Sequence, residues 1–215
     1  MTATPPSAEP LALDHWLALL ATMGITRDRK TFRTLLARYS EPHRHYHTAA
    51  HIADCLQQLK LCGGKANRVD ELTVAIYFHD AIYDTHAPDN ETESAAWAQQ
   101  FLRSHAMGAP AAQRVAALIR ATRHDTIPTD YDQQLLVDID LSIFGRAPEE
   151  FDRYQTQIRL EYDWVPEPVF RRRRAEILEI FLERPRLYHT DWFFAQYEAQ
   201  ARANLTRAVA ELGGG

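Results

Sequence analysis

Apolar residues recur at three- and four-residue spacing along nearly the whole chain, the period of an amphipathic helix. No segment alternates convincingly with the period of two that a half-buried strand requires. Leu13, Trp16, Leu17 and Leu20 mark a helix over 11–22 that Gly24 ends, and Phe32, Leu35, Leu36 and Tyr39 mark another over 27–39, before Pro42. A third helix is predicted over 47–61, stopped by Gly63-Gly64, and a fourth over 69–79, buried to judge from Leu72, Ala75, Ile76 and Phe78. After a loop over 81–90, Asn90-Glu91-Thr92-Glu93 reads as a capping-box-like start for a helix reaching Ser104. Further helices are predicted from Pro110 to Arg123, from Asp130 to Phe144 with Gly145 as the stop, and from Glu149 to Tyr162 with Pro148 in the first turn. The last two run over 169–183 and from a Thr190 cap to Glu211. Short loops and the absence of repeats make this an all-α, single-domain helical bundle, preceded by a Pro-, Ala-, Ser- and Thr-rich leader over 1–10 that is predicted to be disordered.

Composition narrows the function classes. Hydrophobic residues are 46% and charged residues 25%, ordinary for a globular protein, and no run approaches the roughly 18 apolar residues of a membrane span. No secretion signal is visible, which makes the cytoplasm the expected compartment. A net charge of −5 disfavours nucleic acid as a partner and leaves room for a small anionic substrate held by a local basic pocket. Cys55 and Cys62, the two cysteines, suggest neither a disulfide framework nor a thiolate metal cage.

The chemistry-bearing residues fall in order. His47 and His51 are spaced i and i+4, so on one helix they would project from one face and could converge on a cation. His51 shares an apolar stripe with Ile52 and Cys55 and is expected to point inward. His79-Asp80 follows the apolar run Val74 to Phe78, where an unpaired carboxylate would cost several kcal/mol and a cation would stabilise it. Of the pair Asp138 and Asp140, helical geometry places Asp140 with Leu136, Val137, Ile143 and Phe144, facing the core; Asp138 is expected on the helix surface or behind the metal ligands. Such a mixed N/O set suits Zn, Fe, Mn or Ni, with Mg also admitted. Arg44, Arg120, Arg123 and Arg159 are candidates to hold a phosphate, Arg44 being best placed beside the histidine segment. The run Arg171 to Arg174 covers a full helical turn and is expected to be a solvated surface with acidic partners. Trp192, Phe193, Phe194 and Tyr197 are expected in the core, or on a homodimer face.

These residues in this order resemble the HD superfamily of metal-dependent phosphohydrolases. Arg44 to Asp54 is similar to the Tyr-His-Asn-x-x-His-Ala-x-Asp segment of cyclic-nucleotide phosphodiesterases, with Thr48 as a departure, and Asp140-Leu141-Ser142 resembles their Asp-Leu-Ser. Over about 11–210 the chain is more similar to a bacterial family of predicted HD phosphohydrolases. The matching pieces are Phe78-His79-Asp80-x-x-Tyr83-Asp84, Asn90-Glu91-x-x-Ser94-Ala95, Thr122-x-His124, Asp138-x-Asp140-Leu141, Ile158-Arg159-x-Glu161-Tyr162 and Glu198-x-x-x-Ala201-Arg202-x-Asn204-Leu205. The resemblance implies an HD-type domain over 11–212 and a hydrolase acting on a small phosphorylated molecule, perhaps a nucleotide. It implies metal ligands His51, His79, Asp80 and Asp140, and His47 as the acid that protonates the leaving oxygen. Asp80 would also orient the attacking water, with His124 in the catalytic set and Arg44 and Arg123 on the substrate. Two other readings stay open: a di-iron oxygenase in which His124 and Asp84 or Glu91 are ligands, and a non-catalytic metal- or ligand-binding module.

Overall fold

A computed structural model describes residues 11–63 and 65–214. The expected leader over 1–10 lies outside the described residues, as does Gly64. Among the described residues the regular structure is ten α-helices and one 3-10 turn, so the all-α expectation holds. No helix there is long and apolar enough to cross a membrane. The chain forms two compact units that meet in sequence between Arg123 and His124.

The first unit holds α1 (Leu13–Thr22), α2 (Arg29–Arg38), α3 (Ala49–Leu61), α4 (Val69–Phe78), α5 (Asn90–Ser104) and α6 (Ala109–Ala121). Every residue of α4 from Leu72 to Phe78 is buried, because α1, α3, α5 and α6 all pack against it. A helix that is apolar all round is stable only when surrounded, and here it is. Trp16 of α1 seals one side, its ring lying 5.0 Å from Tyr77 at 74° and 5.5 Å from Phe101. Its indole N–H donates to the carbonyl of Asp28 at 2.8 Å, which satisfies the one polar atom of a fully buried side chain. Asp28 in turn caps α2, accepting from the amide of Thr31 at 2.8 Å and from its hydroxyl at 2.6 Å.

The second unit holds α7 (Tyr131–Asp140), the 3-10 turn Leu141–Gly145, α8 (Pro148–Glu161), α9 (Glu167–Leu182) and α10 (Asp191–Gly213). The predicted continuous helix to Phe144 therefore tightens after Asp140, which ends the α-helix at the carboxylate singled out in the sequence. Gly145 has a reason beyond stopping a helix. A Cβ there would meet Cβ of Tyr197 at 2.4 Å and its carbonyl oxygen at 2.8 Å, so α10 packs against bare backbone. Of the terminal aromatics, Phe193 is fully buried as expected, while Phe194 is exposed with the Arg186 guanidinium 4.0 Å above its ring. The run Arg171 to Arg174 diverges as helical geometry requires. Arg173 pairs with Glu176 at 2.9 Å, Arg174 donates to the Tyr154 hydroxyl at 2.8 Å, and Arg171 reaches the carbonyls of Glu211 and Leu212 at the end of α10.

Two changes test these contacts. Gly145→Ala should destabilise the protein by about 2–3 kcal/mol, since backbone rather than a flexible side chain must yield; urea unfolding measures it. Asp28→Ala should cost about 1 kcal/mol at neutral pH. Burial raises the Asp28 carboxyl, but the Thr31 bonds and the His105 ring outweigh it and hold the folded-state pKa below its ordinary value. The contribution of Asp28 is therefore complete above the ordinary carboxylate range and is lost as pH falls through the depressed value. The gap between parent and variant should be constant from pH 7 to about 5 and close below about 4.

Candidate metal centre

His51 lies in the first turn of α3 and is buried. Thr48 is the N-cap of that helix, its hydroxyl accepting from the amide of Ala50, so the helix starts two residues later than expected and His47 precedes it. The two histidines thus do not share a helix face. His47 still reaches the same place, its ring 5.9 Å from His51 and 4.3 Å from Tyr83. His79 caps the C-terminus of α4, and Asp80 follows it.

Three ligand-type atoms of this unit converge. His51 Nε2 and His79 Nε2 are 3.1 Å apart, Asp80 Oδ2 is 3.0 Å from His79 Nε2, and Asp80 Oδ2 is 3.5 Å from His51 Nε2. Donors held about 2.0–2.2 Å from one cation lie roughly 2.9–3.5 Å from each other in octahedral or tetrahedral order, so these edges are those of a coordination shell. The His79 tautomer is fixed by its surroundings. Nδ1 lies 2.9 Å from the carbonyl of Ile76, which can only accept, so Nδ1 carries the proton and Nε2 presents its lone pair to the cluster. Burial pushes the Asp80 carboxyl up, but His79, His47 and His51 together prevail and hold it below the usual carboxylate range. Cys55 also belongs here: one donor atom each of His51, Cys55 and His79 lie within 4.8 Å of one another. This buried group of two histidines, a cysteine and an aspartate could hold a metal ion. The sequence reading placed Cys55 on the right stripe yet counted it only as apolar.

Arg44, expected on a substrate phosphate, is instead a buried brace. Nη1 donates to the carbonyls of Asp80 at 2.7 Å and His47 at 3.1 Å, Nη2 to the carbonyl of Ala81 at 3.3 Å, and Nε to Glu41 at 3.1 Å. The rings of Tyr39 and Tyr83 each lie 5.3 Å from the guanidinium carbon. Arg159 is likewise committed, to Glu167 and to the carbonyls of Tyr162 and Val165. Arg120 and Arg123 are exposed on and just beyond the last turn of α6.

The loop after the His-Asp pair is pinned by its own side chains. Asn90, expected to cap α5, is already in the helix behind Asp89 and bridges both the amide and the carbonyl of Asp84, at 3.0 and 2.9 Å. The Ser94 hydroxyl accepts from the amide of Ile82 at 3.0 Å. Asp84 is exposed and its carboxylate accepts from the amide of His86 at 2.8 Å.

In the second unit Asp140 closes α7, and its Oδ2 lies 2.9 Å from His124 Nε2. His124 has a left-handed backbone, φ 59°, and its carbonyl accepts from Arg184 at 2.8 Å. A histidine in this region is uncommon, and the neighbouring bonds determine it. Asp138 is fully buried, which corrects the surface alternative. It accepts from the amide of His189 at 2.8 Å and from the amide and hydroxyl of Thr190, each at 2.7 Å. Burial pushes its carboxyl up to about 6 against those three bonds. From α10, Glu198 accepts from the amides of Leu187 and Tyr188, while Arg202 donates to the carbonyls of Leu182, Arg184 and Pro185. The loop between α9 and α10 is thereby locked, and it carries Arg184, Arg186 and His189, whose charges the sequence reading did not single out. Burial, then Arg184, Arg186 and His124, push the His189 imidazole below its ordinary value.

No family model, curated protein or solved structure matches the chain. The locked loop yields a direct test. Asp138→Asn replaces one acceptor oxygen with a donor facing N–H or O–H groups, and should lower stability by about 2–3 kcal/mol in urea unfolding with an unchanged m-value. Equal stability of parent and variant would show that Asp138 does not hold the loop.

Proposed function

We propose that the protein is a divalent-metal-dependent phosphohydrolase acting on a small phosphorylated molecule, with a nucleotide as the first candidate. The observation that carries the reading is the convergence of His51 Nε2, His79 Nε2 and Asp80 Oδ2 at 3.0–3.5 Å, with the His79 proton already parked on the far nitrogen. A divalent cation held by such residues lowers the pKa of a water toward neutrality and draws charge from a phosphoryl oxygen. Asp80, partly exposed beside the two imidazoles, is suited to accept a hydrogen bond from the attacking water. His47, which lies outside the ligand group yet close enough for its charge to stabilise Asp80, is the residue proposed to protonate the departing oxygen. Asp140 is retained as the fourth ligand on the order of motifs in the sequence, and His124 as the residue that orients its carboxylate through the 2.9 Å contact.

Metal analysis of the purified protein, followed by a phosphate-release screen over nucleotides and sugar phosphates, tests this reading. About one divalent ion per chain and at least one hydrolysed substrate are expected, with Asp80→Ala lowering turnover by more than about 100-fold. Undiminished hydrolysis by Asp80→Ala would overturn the metal mechanism, and about two irons per chain without phosphate release would favour oxidation by a di-iron centre. Full retention of tightly bound metal in Asp140→Ala would remove Asp140 from the shell.

A further inference from the structure

We propose that the Cys55 thiolate is itself a ligand of the ion, giving the centre a mixed nitrogen, oxygen and sulfur shell. The inference rests on the metal-centre reading above and adds to it a soft donor. Cys55 follows His51 by four residues in α3, so both side chains lie on one helix face, one turn apart. Its sulfur is 3.7 Å from His51 Nε2, the nitrogen that faces His79. A cation about 2.0–2.1 Å from nitrogen and about 2.3 Å from sulfur, with tetrahedral angles, sets those two donors roughly 3.6 Å apart. The same arithmetic accounts for the nitrogen and oxygen edges of the cluster, so the sulfur extends one polyhedron.

The competing role for a buried cysteine is that of a small apolar filler. Cys62 shows what that looks like in this helix: it is equally buried, and its S–H donates to the carbonyl of Leu59 at 3.1 Å. Cys55 instead has its sulfur at the imidazole of His51. On metal binding the thiol proton would leave to solvent, and the ligand group would gain one negative charge in a buried place. Two consequences follow. The soft sulfur should bias the site toward Zn, Co or Fe over Mg and Mn, and the metal should bind more tightly than to a two-histidine, carboxylate shell alone.

Cobalt(II) reports thiolate ligation directly. Added to the full-length protein after stripping with EDTA, one equivalent should produce a sulfur-to-cobalt charge-transfer band in the near ultraviolet along with visible d–d bands. The charge-transfer band should persist in Cys62→Ala and vanish in Cys55→Ala, with cobalt affinity lowered at least about tenfold in the latter. Cys55→Ser, which keeps the volume of the side chain, should likewise lose the band while retaining the helical circular dichroism of the parent, and so covers the case in which the alanine variant misfolds. Cobalt uptake with d–d bands and no thiolate band, or a band that survives in both Cys55 variants, would overturn the sulfur ligand and leave the metal centre standing. A parent protein that takes up no cobalt would overturn the metal centre and this inference with it.

Discussion

A buried guanidinium cannot be left without acceptors, and the way Arg44 finds them organises the first unit. Its side chain is removed from water, where an uncompensated charge would cost several kcal/mol. It is satisfied by backbone carbonyls on both sides of the centre, at His47 before α3 and at Asp80 and Ala81 after α4, and by the Glu41 carboxylate. The Tyr39 and Tyr83 rings lie against it. One side chain therefore fixes the spacing between the two segments that bring His51, His79 and Asp80 together. A charge that looked like a handle for substrate works instead as a keystone of the backbone.

The second unit solves a similar problem with carboxylates. The α9–α10 loop exposes a run of amides and carbonyls that no regular structure satisfies, and Asp138, Glu198 and Arg202 absorb most of them. Buried acidic groups are expensive unless several donors converge on each, and here they do. The result is a stiff platform for Arg184, Arg186 and His189, whereas a loop of ordinary turn residues would have left those cations mobile.

Much of this was legible in the sequence, and the misses have common causes. Periodicity locates the helices because amphipathic packing is a local rule, and the burial of α4 follows from its lack of a polar face. Helix ends are less readable: Thr48 capping α3 displaces His47 from the helix, and no spacing argument distinguishes a cap from a first-turn residue there. Asp138 and Asp140 differ by two residues, yet one feeds a distant loop and the other meets His124, which depends on tertiary placement alone. Arg44 and Cys55 were misjudged because charge suggests exposure and a cysteine among apolar residues suggests filler. Both rules describe populations, and a ligand centre is where they are broken. The Glu198, Arg202 and Asn204 pattern was visible as a motif, but its meaning as a loop clamp and as the partner of the Phe144 and Arg146 carbonyls required the fold.

The place where α4 stops has chemical meaning. A helix leaves its last four carbonyls without an intrahelical donor, and because α4 ends at Phe78, the carbonyl of Ile76 is among them. That carbonyl takes the Nδ1 proton of His79. Had the helix run one turn further, the amide of residue 80 would claim the same oxygen and the imidazole would lose the partner that decides which nitrogen is bare. Helix length at this point is thus a determinant of ligand basicity, and insertions or helix-favouring changes between Phe78 and Ala81 would disturb the electronic state of the histidine before they disturbed any packing.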